Sequence, residues 1–269
     1  MNSFEPNQDA TENAPHTDYT VKALWRYPVK GLSPEEMTQT TLTPGEVIPG
    51  DRRYALAHGN TPFDPAKPEW LPKHNFVMLA RNPSLAALTT RWIEVANTLT
   101  IERKGRHVAR GDLSTTAGRA VIADFIGAYL KDEVRGTPHL VEAPGHMFSD
   151  HKNKVLSLIT QASLDDLERV VGHPVDPRRF RANVLIEGPA AWEEFSWVDQ
   201  EITLGGARLK VTQRINRCPA TSANPDSGKV DENIPRTLKS AFGHIHFGIY
   251  AEVIEGGEVA LGNGMRVVV

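Results

Sequence analysis

The sequence predicts an α+β protein dominated by strands, with barrel-like sheets in both halves and a few helices. Two observations carry this. Short apolar runs alternate with polar residues at a period of two, and turns bearing glycine or proline separate them. Helical spacing appears only in scattered segments, and no internal repeat or low-complexity array interrupts the pattern.

In chain order, Val21 to Pro28 alternates, is rich in aromatics and stops at Pro28, as a strand would. Val29-Lys30-Gly31 follows, where the glycine lets a backbone amide approach an anion closely. Thr40 to Thr43 reads as a short strand before the Pro44-Gly45 turn, and Gly50 to Ala57 as a turn and then a strand. Four prolines between Pro62 and Pro72 dictate an irregular loop. Phe76 to Ala80 reads as a short apolar strand leaving through Arg81-Asn82-Pro83, and Trp92 to Arg103 as a strand pair turning at Asn97. A helix follows: Asp112 and Ser114 offer N-cap oxygens, and Val121, Ile122, Phe125, Ile126, Tyr129 and Leu130 fall at helical spacing. Lys131-Asp132 ends it. The loop from Gly136 to Gly145 is the expected domain boundary, dividing residues 19–145 from 146–269.

In the second half, Val155 to Ile159 reads as a buried strand. Ser163 is placed to cap a helix that carries Leu164, Leu167, Val170 and Val171 on one face, and Gly172 and Pro174 stop it. Phe180 to Glu187 is a strand with an arginine-rich entry. Ile202 to Leu204 and Leu209 to Val211 flank Gly205-Gly206, a hairpin signal. Leu238 to Phe242 is a short helix; Phe247, Ile249, Ala251 and Val253 alternate as a strand. Turns at Gly256-Gly257 and Asn263-Gly264 lead to Met265–Val269.

Composition narrows the function classes. With 269 residues, 40% hydrophobic and 23% charged, the chain can bury a sizeable core as one large domain or two. A net charge of -3 gives no global case for binding nucleic acid or a membrane surface. A single cysteine points to a reducing, cytoplasmic setting. Residues 1–18 are polar and acidic and lack the basic and apolar regions of a secretory signal; they read as a disordered tail. No run approaches the roughly 20 apolar residues of a membrane span.

Cys218, the lone thiol, is either packing or chemistry. Arg217 is adjacent and Arg214 is three residues back, and nearby cations favour the thiolate that a nucleophile or a soft metal ligand requires. Lys30, Arg52, Arg81, Arg178, Arg179, Arg181 and Arg217 all fall at strand ends or in adjoining loops. They are either unrelated surface charges or a site for phosphate or carboxylate, which the guanidinium fork suits. His244 and His246 on one strand face could join Cys218 in a zinc site completed by His173 or Asp231, or simply lie at the surface. Neither a Gly-x-Ser-x-Gly elbow, nor a phosphate loop with Gly-Lys-Ser/Thr, nor a dinucleotide fingerprint is present.

Arg179-Phe180-Arg181-Ala182-Asn183, then Arg217-Cys218-Pro219-Ala220-Thr221 and Asn224-Pro225-Asp226-Ser227-Gly228, resemble the MOSC family. That family is the C-terminal domain of molybdenum cofactor sulfurases, shared with the amidoxime-reducing components. Trp192 to Trp197, the Gly205-Gly206 hairpin and Phe247-Gly248-Ile249-Tyr250-Ala251 match as well. Upstream, Tyr27-Pro28-Val29-Lys30-Gly31 and Gly50-Asp51-Arg52-Arg53-Tyr54 resemble the β-barrel domain that precedes MOSC. Alanine at 182 and glycine at 31 depart from the proline and serine of many relatives.

The resemblance implies a molybdenum cofactor (molybdopterin) with Cys218 as metal ligand and catalytic residue. It implies Lys30, Arg52, Arg181 and Asn183 as cofactor contacts, Arg81 as a weaker match, and Arg217 beside the thiol. The implied reaction is two-electron reduction of a small N-hydroxylated substrate, with N–O cleavage and release of water. Asp226 and His246 are candidate proton donors. One cysteine cannot hold the four-cysteine cluster of a fused ferredoxin module, so electrons are expected from a separate ferredoxin, flavoprotein or cytochrome. The family also has an association with pyridoxal phosphate, at family level only. Two alternatives stand beside this: a sulfur carrier or cofactor-handling protein acting through a Cys218 persulfide, and a binding module with an inert buried cysteine.

Overall fold

In the computed structural model of this chain, residues 19–142 and 145–268 are described. The stretch read as a tail, 1–18, and Val269 lie outside them. The first half runs β1 (Tyr19–Arg26), β2 (Glu35–Met37), β3 (Gln39–Leu42), β4 (Tyr54–Ala57), β5 (Leu88–Ile93), β6 (Thr98–Arg103), β7 (Arg106–Asp112), α1 (Thr116–Leu130) and β8 (His139–Glu142). The second runs β9 (Leu156–Thr160), α2 (Gln161–Val171), β10 (Val184–Glu187), β11 (Glu201–Leu204), β12 (Ala207–Asn216), α3 (Ile234–Phe242), β13 (His246–Glu255), β14 (Gly257–Ala260) and β15 (Gly264–Val268). Among the described residues no helix is long and apolar enough to cross a membrane.

The order β10-β9-β13-β12-β11-β15-β1, with β1 pairing back onto β10, closes a seven-stranded barrel. Closure removes the exposed edges that an open sheet must protect. Its ladders are antiparallel except β9–β10, where α2 supplies the crossover that a parallel pair needs. The alternation seen in the sequence fills the barrel: Leu209, Val211, Ile249, Ala251 and Val253 pack in one buried cluster with Val21, Leu158 and Ile186.

β1 comes from the first half yet is a stave of this barrel, and β3 pairs with β14. The sheets therefore cross the expected division at 145/146. The rest of the first half is a β4–β8 pair and the three-stranded β5-β6-β7 sheet. Both share a core with α1 through Tyr54, Leu56, Leu88, Leu99, Ile122 and Ile126.

Several local expectations are corrected. Phe76 to Ala80 is not a strand: it makes a single bridge, Phe76 to Ala57, because short 3-10 turns at Lys73–Asn75 and Pro83–Ala87 bracket it. Thr115 caps α1, accepting from Gly118 N at 3.0 Å, while Asp112 instead accepts from Ser114 N in its own turn. Val121 lies off the buried stripe and is 46% exposed. Thr160, not Ser163, caps α2; the Ser163 hydroxyl donates to buried Glu194. The Gly136–Gly145 loop contains β8. Phe180 to Ala182 lie outside β10, because Pro177–Phe180 forms a 3-10 turn.

Candidate functional site

The thiol is positioned by a break in the sheet. β12 ends at Asn216, and Arg217 N donates to Ile245 O at 2.8 Å. Pro219 then opens a 3-10 turn, Pro219–Ser222, that Cys218 caps in an extended conformation. The Cys218 carbonyl accepts from Thr221 N at 3.1 Å and Thr221 Oγ1 at 3.0 Å. The backbone thus anchors the turn, and the side chain is partly exposed. It lines a cavity of about 280 Å³ and is not sealed within the core. Lys30, Arg52, Arg181, Asn183 and Arg217 line the same cavity, although they come from separate segments of both halves.

Lys30 lies just past Val29, whose bridge to Tyr54 registers it, and Gly31 takes the positive φ of +83° that the following turn requires. The Lys30 ammonium is buried and donates to Phe148 O at 3.1 Å and Asp150 Oδ1 at 2.5 Å. Burial lowers its pKa, with Asp150 opposing. Arg52 and Arg181 both have left-handed backbones, and their guanidiniums stand 4.8 and 4.2 Å from the Tyr27 ring. The ring face offsets part of the repulsion between them. Arg52 pairs with Asp51 and donates to Arg181 O at 2.8 Å.

Arg181 donates to Leu32 O at 2.6 Å, and Arg217 donates to Phe247 O and Phe180 O, each at 2.8 Å. Among the described residues neither has a carboxylate partner. Burial pulls both down to about 10, so both remain cationic at neutral pH. Arg217 Nη2 and Arg179 Nε are buried N–H donors without an acceptor. A buried donor left unmade is costly, so such groups mark a place for a ligand acceptor. Asn183 lines the cavity and also ties the surrounding segments together. Its Oδ1 accepts from Ser157 N at 3.1 Å and Ser157 Oγ at 2.9 Å, and its Nδ2 donates to Trp25 O at 3.2 Å. It clamps β1 to the entry of β9 behind the cavity.

Sequence reasoning missed Lys73, Asp150, His151 and Tyr250, which also line the cavity. Lys73 directly follows the proline-rich stretch read as a loop, where no motif marks it. Burial works against its charge, but Asp150 and Cys218 outweigh it and raise the ammonium pKa. Asp150 bridges the two lysines, with Lys73 Nζ at 3.0 Å from Oδ2. Burial opposes its charge too, yet Lys30 and Lys73 hold it down at about 2. A carboxyl lowered on folding contributes stability that is complete above its unfolded pKa of about 3.9 and lost as pH falls towards 2. Thermal melts between roughly pH 2 and 6 should therefore show a smaller acid loss in Asp150→Asn than in the parent. Identical pH slopes would refute that coupling.

Other expected residues stay apart. Arg81 is exposed and outside the cavity lining. Arg178 is held by Asp176 and Asp226 at 2.5 and 3.0 Å. Neither Asp226 nor His246, the candidate proton donors, lines the thiol cavity. His244 precedes β13, so only His246 lies on the strand; their ring centroids are 5.6 Å apart, and they pack among Trp192, Phe195 and Phe242. His173 pairs with Glu232 and Asp231 with Arg179. Among the described residues no three His, Cys, Asp or Glu side chains converge as a metal cage, which removes the zinc reading. One thiol in a cationic cavity fits instead a metal that brings its own sulfur ligands on an anionic carrier.

Comparison with known proteins bears on this site. Residues 18–135 match the family model described as MOSC N-terminal beta barrel domain, and residues 143–266 match the one described as MOSC domain. Mitochondrial amidoxime-reducing component 1 of Homo sapiens is 26% identical over 246 residues, covering 82% of this chain and 71% of that protein. Mitochondrial amidoxime reducing component 2 of Rattus norvegicus is 36% identical over 86 residues, 32% of this chain and 25% of that protein. This chain thus spans about a quarter of the rat protein's length. Molybdenum cofactor sulfurase of Homo sapiens is 33% identical over 73 residues, 27% of this chain and 8% of that protein. The solved YUAD protein from Bacillus subtilis aligns over 93% of this chain and 94% of its own, with 13% identity and a TM-score of 0.44.

Proposed function

The chain belongs to the MOSC family, with a MOSC N-terminal beta barrel domain ahead of a MOSC domain, and on that premise we propose that it is a molybdenum-cofactor-dependent oxidoreductase reducing N-hydroxylated compounds. A single observation carries the reading. The chain's one thiol opens onto a cavity walled by partly buried Arg181 and buried Arg217, cations with no carboxylate partner among the described residues, and Arg217 has an unmet N–H. A phosphate-bearing pterin answers that charge, and Cys218 is the soft ligand a sulfur-bound metal takes.

The cofactor supplies the two-electron redox chemistry when bound. Cys218 would hold the metal, and Lys30, Arg52, Arg181 and Arg217 would orient the cofactor's anionic end. N–O cleavage consumes two electrons and two protons and releases water. Lys73 Nζ, kept protonated by Asp150 and Cys218, and the Tyr250 phenol, kept protonated by burial, are proton-bearing groups in the wall. Electrons come from a separate donor protein.

Metal analysis of protein from a cofactor-competent host tests the reading: stoichiometric molybdenum supports it, and a Cys218 sulfur adduct without metal replaces it with the sulfur-carrier alternative. Lys30→Ala and Arg181→Ala should each weaken cofactor retention roughly tenfold or more, since each removes roughly 1.5–3 kcal/mol of charged hydrogen bonding. Full retention in both would mean that the phosphate lies elsewhere.

A further inference from the structure

A second cavity, of about 890 Å³, lies beside the thiol cavity. Gly31, Leu79, Arg179, Arg181 and Ala220 line both, so the two share a wall. Leu32, Pro34, Ala87 and Leu88 give the second cavity apolar sides. Arg103 at the end of β6, Lys104 from the β6–β7 turn, and Lys229 from beyond the Asn224–Gly228 turn line only this cavity and not the first.

Its charge is unbalanced. Asp176 and Asp226 hold Arg178, and Asp231 holds Arg179. Arg103, Lys104 and Lys229 have no carboxylate partner among the described residues; Arg103 only stacks 4.9 Å from the Tyr129 ring. Glu36 is the other acid in the lining. In the shared wall, Arg179 is 7% exposed and keeps its buried Nε–H unpartnered.

We propose that this chamber seats the substrate and selects N-hydroxylated compounds with an apolar body and an oxyanionic end. The inference rests on the reductase reading. The shared wall puts the N–OH end towards Cys218. The apolar sides enclose the body, and Arg103, Lys104 and Lys229 receive a carboxylate or phosphate at the far lip. Exposed cations attract weakly one at a time, so the preference comes from the group.

Calorimetric titration of protein from a cofactor-competent host tests this with 4-carboxybenzamidoxime against benzamidoxime at low salt. The carboxylated probe should bind about tenfold tighter. Lys104→Glu/Lys229→Glu should abolish that preference and leave benzamidoxime binding within about twofold. Equal affinities in the parent, a preference that survives the double variant, or binding of neither probe would overturn the proposal. Molybdenum is quantified on the same samples: its absence from the parent sinks the reductase reading, whereas normal molybdenum with no anion preference sinks this inference alone.

Discussion

Cys218→Ser should strip the protein of molybdenum while leaving its fold intact. The carbonyl of residue 218 makes the hydrogen bonds that build the Pro219–Ser222 turn, and serine keeps them. The side chain is partly exposed, so the change should move stability by no more than about 1 kcal/mol. On the proposed reading, the metal would lose the only thiol in the sequence. A hydroxyl is a hard ligand that stays protonated at neutral pH, so molybdenum content should fall roughly tenfold or more. Elemental analysis beside a thermal melt reads both effects. Undiminished molybdenum in a folded variant would remove Cys218 from the metal.

Gly248→Ala should have the largest effect on the fold. Gly248 lies in β13 at φ +74°, where the β12–β13 register slips between Arg214 and Asn216. A β-carbon there would sit 2.3 Å from Leu158 O and 2.7 Å from Ile159 Cγ2. Leu158 belongs to the barrel stave β9, so its carbonyl cannot withdraw without opening the β9–β13 ladder. Left-handed strain and overpacking each cost about 1–3 kcal/mol, giving about 3 kcal/mol or more together. For a chain of this size that is a fall in Tm of about 6–12 °C. The site should suffer as well. The preceding carbonyl, Phe247 O, accepts from Arg217 Nε at 2.8 Å, and Arg217 adjoins the thiol. A melt within about 2 °C of the parent would show that the barrel absorbs the methyl group.

Particular residues show what could be read in advance. The barrel strands were legible because they alternate against a filled interior: Ile249, Ala251 and Val253 of β13 are all buried in the barrel core. β2 and β7 escaped notice because β2 has only three residues and β7 is mostly solvent-facing, so neither shows a two-residue apolar period. Caps were misplaced by a few residues because several hydroxyls and carboxyls compete at each helix start, and long-range bonds such as Ser163 to Glu194 settle the choice.

At the site, Lys30, Arg52, Arg181 and Arg217 stood out by residue type within recognisable motifs, and the fold brings them to one cavity with Cys218. Arg81 looked no different in sequence, yet the turn at Met78–Arg81 leaves it facing solvent. Lys73 and Asp150 carried no motif. They matter only because they meet, and Lys73 reaches Cys218 from 145 residues away in the chain.

By itself the sequence determined the strand-dominated class, the family and the presence of one thiol among cations, because period, turn chemistry and residue type are local properties. The tertiary structure alone decided three things. β1 completes the barrel of the other half. Asn183 turns inward as a clamp while Arg217 keeps a free donor. A second, cationic chamber opens beside the thiol. Burial and unmet hydrogen bonds are relations between distant segments, and no stretch of sequence carries them until the chain has closed on itself.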